Sequence, residues 1–297
     1  MEAWQVSSGN MNHFFVLTNQ PKDKDLKITN YICECLKKKG KQCDYMVFTP
    51  EKEQLGSANK NPLNLPDWVE CILVLGGDGT LIQAAMDTLY LDIPLIGINL
   101  GNVGFLAEVE QSNLDSALEQ LISGKVQQEE RMMLSGVLKK QQSEPVKYHA
   151  LNDIVLTRHG SLRIIRFHIY VNGELLNTYL ADGMIVSTPT GSTGYNLSAG
   201  GPIVEPTASM IVITPICSHA LNTSSIVLSA DDEIVLEVAM GRDGEIEEAC
   251  VSFDGDRNIE VHTGDRILIQ KAEETTKLLK LSKVSFLETL REKMKGN

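Results

Sequence analysis

The 297-residue sequence contains no run approaching the roughly 20 consecutive apolar residues that a membrane-spanning helix requires. Its first ten residues, MEAWQVSSGN, carry Glu2 and no basic cluster, so they read as a tail and not as a signal peptide. Met11 offers an alternative start, and a cytoplasmic location follows, with no membrane partner. Basic residues are in deficit, 27 Lys and Arg against 39 Asp and Glu. The net charge of −12 works against nucleic-acid binding, which needs a basic face to displace counterions, so any phosphate ligand must be held locally. The six cysteines (Cys33, Cys35, Cys43, Cys71, Cys217, Cys250) include no CxxC pair and read as structural thiols of a reducing compartment. The six histidines lack metal-ligand spacing such as HExxH, and nothing suggests a covalent nucleophile. Neither GxxxxGK[ST] nor GxGxxG occurs, which excludes the two commonest phosphate-loop fingerprints.

The length suits two domains. The first part alternates strand and helix: HFFVLTN (13–19), a helical pattern from Asp25 to Lys39 with Leu26, Ile32, Cys33 and Leu36 on one face and Gly40 at its end, then YMVF (45–48). After a Pro- and Asn-rich loop (50–66) come the continuous apolar run CILVL (71–75), a helix from Thr80 to Tyr90, the strand IPLIGIN (93–99) and a helix over Ser112–Ile122. This pattern predicts a doubly wound, Rossmann-like α/β domain. After Gly124 the texture becomes short alternating strands, including LRIIRFHIYV closed by an Asn172-Gly173 hairpin turn, which predicts a β-sandwich. A last helix, 285–295, needs a surface for its apolar face and is expected to pack back on the first domain. The expected boundaries are 12–126 with 277–297 for the α/β domain, 127–276 for the β-rich domain and 1–11 for the tail.

Two segments carry chemistry. Gly76-Gly77-Asp78-Gly79-Thr80 follows a buried strand and opens a helix, the place where α/β sheets bind ligands. Its glycines allow backbone N–H groups to approach a phosphate, and the helix N-terminus adds a positive dipole end. The loop supplies no lysine, so phosphate stabilisation is expected from backbone amides and from a metal carried by the donor. A carboxylate among these glycines repels phosphate unless it has a task of its own, and taking the proton of an attacking hydroxyl is such a task. The alternative is a turn or helix-cap aspartate, which asparagine could replace. The second segment, ADGMIVSTPTGSTGYNLSAGGPIVEP (181–206), offers amides, hydroxyls and the ring of Tyr195 to a nucleotide. Asn152 and Asp153 form a further polar pair before the strand NDIVL.

LGGDGT (75–80), GFLAE (104–108), LNDIVL (151–156), DGMIVSTPTGSTGYNLSAGGPIV (182–204), TPICSHAL (214–221) and Phe253-Asp254-Gly255 together resemble the NAD kinase family, in the same order over residues 12–290. GGDGT alone is shared with diacylglycerol and sphingosine kinases. The resemblance implies phosphoryl transfer from ATP or polyphosphate to the adenosine-ribose 2′-hydroxyl of NAD, with Mg²⁺ arriving on the donor. It implies a proton-accepting Asp78, a donor loop of Gly76, Gly77, Gly79 and Thr80, and Gly79 beside the bound NAD. Phe105, Asn152 and Asp153 would lie at the adenosine, Asp182 at the nicotinamide end, and Thr193, Gly194, Tyr195, Asn196, Leu197 and Ser198 along the dinucleotide. Arg163 is the nearest basic residue expected in the β domain, with a solvated strand arginine as its plainer reading. The family's use of positions like Asp182 and Tyr195 across subunits implies a homodimer or homotetramer. Departures from the family pattern are Asp153 in place of glutamate, Gly194 where alanine is common, Asp256 where glutamine is common, and Leu180 at a position tied to NADH acceptance. A diacylglycerol-type lipid kinase and a non-catalytic dinucleotide-binding regulator are the competing readings.

Overall fold

The computed structural model describes residues 10–48, 61–101, 104–107, 109–141, 143–160, 164–220, 223–256, 258–281 and 284–295. Among these the chain forms two compact units, one from 10–48, 61–131 and 276–295, the other from 132–275.

In the first unit the order is β1 (His13–Asn19), α1 (Lys27–Lys38), β2 (Gln42–Phe48), β3 (Cys71–Gly76), α2 (Asp78–Asp87), β4 (Leu95–Asn99), β5 (Val109–Glu110) and α3 (Leu114–Ile122). β1 lies between β2 and β3, β3 pairs with β4, and all these pairings are parallel. Alternation divides the buried residues between two faces. Phe14, Val16, Leu73, Leu75, Ile96 and Ile98 meet Ile32 and Leu36 of α1 and Leu118 and Leu121 of α3. The opposite face belongs to α2, whose Leu81 reaches β4: a Cβ on Gly97 would stand 3.2 Å from Leu81 Cδ2 and 2.7 Å from Ala107 Cα. Every residue of β3 is buried, as a central strand covered on both sides requires.

α1 starts later than its periodicity suggests. Asp25 and Leu26 have positive φ, and the Asp23 carboxylate accepts the amides of Ile28 and Thr29, so the helix begins at Lys27 with Leu26 outside its stripe. Gly40, at φ 75°, ends it as expected.

The second unit continues from β6 (Gln127–Lys139), whose first residues belong to the first unit, through β7 (Val146–Ala150), β8 (Asp153–Arg158), β9 (Ile165–Val171), β10 (Glu174–Ala181), β11 (Gly183–Ser187) and the short α4 (Tyr195–Ser198). β12 (Met210–Ile216), β13 (Ile226–Ser229), β14 (Ile234–Val238), β15 (Glu248–Phe253), β16 (Ile259–His262) and β17 (Arg266–Lys280) complete it. One layer runs β13-β12-β11-β8-β15-β16, all antiparallel. The other includes β10-β9-β14-β17. Their inward residues, such as Leu156, Met184, Val186, Val251 and Phe253 against Phe167, Ile169, Leu236 and Ile267, form one core. Asn172 and Gly173 both have positive φ, which is the expected tight turn between β9 and β10. β17 is longer than its apolar segment RILIQ predicts: it runs on through the polar EETT, and from Thr276 it belongs to the first unit, where Leu278 pairs with Leu95 of β4. α5 (Phe286–Met294), capped by the Ser285 side chain, packs on the first unit, as expected.

Candidate active site

The glycine loop lies at the carboxyl end of β3. Gly77 is the N-cap of α2 and its carbonyl accepts the amides of Thr80 at 3.0 Å and Leu81 at 3.1 Å, so Asp78 occupies the first turn. The three glycines are glycine for different reasons. At Gly76 the Thr80 side chain fills the place a Cβ would take. At Gly77 a Cβ would lie 2.8 Å from Lys22 Nζ. Gly79 is exposed, and a Cβ there would meet no atom of the described residues within 4 Å, so among them nothing but an approaching ligand calls for its small size. Asn19, the last residue of β1, donates from Nδ2 to Thr80 Oγ1 at 3.0 Å and ties the end of β1 to the first turn of α2.

Asp78 is neither cap nor turn residue. Its Oδ2 accepts the amide of Phe105 at 2.7 Å, and its Oδ1 accepts those of Ala107 at 3.0 Å and Leu106 at 3.3 Å. Gly104 lacks a Cβ because the Asp78 carboxylate occupies that space. The carboxylate therefore pins the segment 104–107, which corrects the expectation that a structural Asp78 could be exchanged for asparagine. The ring of Phe105 packs against Phe286 of α5, centroids 6.5 Å apart, with Lys293 Nζ 5.7 Å from the ring centre.

The second unit repeats the device. Asp254, at φ 52° and half-buried, accepts the amides of Leu151, Asn152 and Asp153 at 2.7, 2.6 and 3.0 Å. Burial pushes its carboxyl up to about 6, against the pull of these three amides toward the charged form. Asp153 is itself buried, and burial followed by the charge of Asp254 pushes it up to about 7. Among the described residues, Asn152 Oδ1 is buried without a hydrogen-bond partner.

The loop after β11 folds onto this cluster. Thr188 Oγ1 donates to the Leu151 carbonyl at 2.6 Å and accepts the Gly191 amide at 3.0 Å; a Cβ on Gly191 would run into the Asn152 carbonyl. Asn196 is completely buried: its Nδ2 donates to the carbonyls of Ser192 and Pro202, and its Oδ1 accepts from Thr214 Oγ1 at 2.6 Å. Its amide therefore holds the loop together, while Tyr195, Leu197 and Ser198 are exposed and Thr193 and Gly194 half-buried. A Cβ on Gly194 would lie 3.3 Å from the Gly191 carbonyl, so alanine there asks for only a small adjustment. Partial burial, and then the charges of Cys217, Asp153 and Asp182, hold the Tyr195 hydroxyl above its ordinary pKa.

Asp182 is paired with Arg158 Nε at 3.1 Å across adjacent strands. Arg163 lies outside the described residues. Leu180 is half-buried and lines a groove of about 700 Å³ with Arg166, His159, His219 and Arg242.

Lys22, Arg158 and Asp254 are thus site-associated residues that sequence reasoning left without a role. Asp254 belongs to the Phe253-Asp254-Gly255 motif, but Lys22 and Arg158 carry no local signal, being a lysine in a charged turn and an arginine at the end of a strand. Among the described residues, no helix is long and apolar enough to cross a membrane.

Residues 14–126 match the family model of the ATP-NAD kinase N-terminal domain, and residues 151–281 that of the ATP-NAD kinase C-terminal domain. The chain is 48% identical to the NAD kinase of Agathobacter rectalis over 97% of its length and 99% of the relative's. It is 46% identical to the NAD kinase of Lachnoclostridium phytofermentans, covering 95% and 99%. Among solved structures it resembles an NAD kinase from Archaeoglobus fulgidus in complex with ATP, with a TM-score of 0.75 at 25% identity, covering 95% of this chain and 98% of that one. Its fold also resembles that of yeast NADH kinase complexed with NADH, with a TM-score of 0.81 at 24% identity, covering 97% and 89%.

Proposed function

The chain belongs to the NAD kinase family, and we propose that Asp78 is the base through which it phosphorylates the adenosine-ribose 2′-hydroxyl of NAD. The observation that carries the reading is the Asp78 carboxylate itself, held at the phosphate loop by amides on both oxygens. A carboxylate oxygen offers two acceptor sites. Oδ1 already takes two amides, whereas Oδ2 takes one, so Oδ2 retains a site for the hydroxyl proton. As that proton passes to Oδ2, the hydroxyl oxygen bonds to the γ-phosphorus, and the bond to the β,γ-bridging oxygen breaks with its electron pair leaving on ADP. Backbone amides of Gly77 and Gly79 and the N-terminus of α2 face the donor phosphates, and Mg²⁺ enters as part of the Mg-ATP substrate.

On the same reading Asn152 and Asp153 of the second unit hold the adenosine of NAD, where Asn152 Oδ1, without a partner among the described residues, supplies an acceptor for a ligand N–H or O–H. Thr193, Gly194, Tyr195, Leu197 and Ser198 line the dinucleotide, and Asn196 acts from beneath by fixing their loop. Asp182 serves the nicotinamide end in the orientation set by Arg158. The active protein is a cytoplasmic homodimer or homotetramer. Similarity to NAD kinases along both units favours this reading over a lipid kinase and over a regulator that only binds dinucleotide. Purified protein incubated with Mg²⁺, ATP and NAD, followed by assay with an NADP-specific dehydrogenase, should give NADP. No NADP above the blank, with ATP or polyphosphate as donor, refutes it.

A further inference from the structure

We infer that Lys22, from the turn after β1, is a phosphate-binding residue of the glycine loop and grips the terminal phosphates of the nucleoside triphosphate. The inference rests on the reading of that loop as the donor site. The turn is firmly built: the Asn19 carbonyl accepts the amides of Lys22 at 2.9 Å and Asp23 at 3.1 Å. The buried Asp23 carboxylate takes the Ile28 and Thr29 amides at 3.0 and 2.9 Å and the Thr29 hydroxyl at 2.6 Å. Since β1 and β3 are parallel neighbours, with Thr18 beside Leu75, the turn and the glycine loop emerge from adjacent strand ends. Lys22 extends across that gap until its ammonium stands 2.8 Å from where a Gly77 Cβ would be.

Three observations favour a ligand over a solvated surface lysine. Lys22 has no ion-pair partner among the described residues, although acidic residues outnumber basic ones in the chain. Its ammonium stands 2.8 Å from the place of a Gly77 Cβ, so a phosphate taken by the glycine loop would come within its reach. The neighbouring Asn19, already bound through Nδ2 to Thr80, keeps a buried Oδ1 without a partner among the described residues, an acceptor that suits a ribose hydroxyl of the nucleotide, since phosphate oxygens only accept. A point charge from a neighbouring turn thus supplies what the loop's own sequence omits. In the transfer step Lys22 forms and breaks no covalent bond; it offsets charge on the phosphate oxygens as the bond to ADP breaks.

The test compares wild type with Lys22→Gln and Lys22→Arg. Binding of Mg-ATP without NAD is measured by calorimetry, and steady-state kinetics are run with each substrate varied. Lys22 is exposed, so thermal melts of the variants should match wild type. Loss of one charge-assisted contact should lower the affinity for Mg-ATP and kcat/KM for ATP by about 10- to 100-fold in Lys22→Gln. The KM for NAD should stay within about twofold, and Lys22→Arg should recover most of the loss, because either cation can bind phosphate. Unchanged ATP affinity and kcat/KM in Lys22→Gln, or a defect confined to the KM for NAD, overturns the proposal. If wild type makes no NADP, the reading of the reaction fails, yet the calorimetric comparison still decides whether Lys22 binds the triphosphate.

Discussion

Replacing Asp78 by asparagine separates two roles that the structure assigns to one carboxylate. Asparagine keeps one acceptor oxygen and turns an NH₂ toward an amide that needs an acceptor, so either the Phe105 amide or those of Leu106 and Ala107 lose their partner. An unsatisfied, partly buried donor costs about 1–3 kcal/mol. At about 2–4 °C per kcal/mol for a domain of 150–250 residues, a melting temperature lower by several degrees is expected. Loss of the base adds a kinetic effect of about 10²- to 10⁴-fold in kcat. Measured well below the variant's Tm, kcat should therefore collapse while a folded protein remains, and NAD binding should persist with a modest loss traceable to the 104–107 segment. Gly104→Ala is the complementary perturbation: it keeps the carboxylate but places a methyl group on it. A displacement of about 1 Å in a reacting group can cost about 10²-fold, so Gly104→Ala should also fall in kcat, and the double variant should lose much less than the product of the two effects. A folded Asp78→Asn protein that retains more than about a tenth of the wild-type kcat would show that Asp78 only pins the segment and would move the base elsewhere.

The Asp153 carboxyl stands above its unfolded value of 3.8, so its contribution to stability is complete below about pH 4 and is lost as pH rises through about 7. Asp153→Asn should remove that loss and gain on wild type by on the order of 4 kcal/mol between pH 4 and pH 8; parallel pH–stability curves from chemical denaturation refute the assignment. Asp254→Ala leaves the amides of Leu151, Asn152 and Asp153 unpaired in the interior, and should destabilise the protein by several kcal/mol as judged by urea midpoints, with no folded variant matching wild type. Arg158→Ala frees Asp182 and should raise the KM for NAD with little change in that for ATP; equal effects on both substrates count against a role at the nicotinamide end. Leu180 offers neither charge nor hydrogen bond, so kcat/KM should favour NAD over NADH, and equal values refute this. Light scattering should show an oligomer, and a fully active monomer overturns the shared-loop reading of Asp182 and Tyr195.

Much of the fold was legible because the signals are local. The unbroken apolar run of β3 needs only its own composition to mark a covered central strand, and Asn172-Gly173 needs only its own backbone preferences to make a hairpin. The glycine loop is likewise readable, since strand, turn and helix start lie within a dozen residues. What the sequence alone determined is therefore the order of the elements, the two textures that divide the chain, and the segments that carry the chemistry. Tertiary structure decided the partners. Asp78 meets amides 27 to 29 residues away and Asp254 meets amides 101 to 103 residues away. Lys22 reaches Gly77 only because β1 lies beside β3. The same holds for Asn196, whose amide turns inward to Thr214, and for β17, which stays extended through polar residues because other strands supply its hydrogen bonds. A carboxylate or an ammonium does not encode in its neighbours along the chain which distant N–H or glycine it will face. That is settled by strand pairing, where each buried polar group must find a partner from whatever the topology brings within reach.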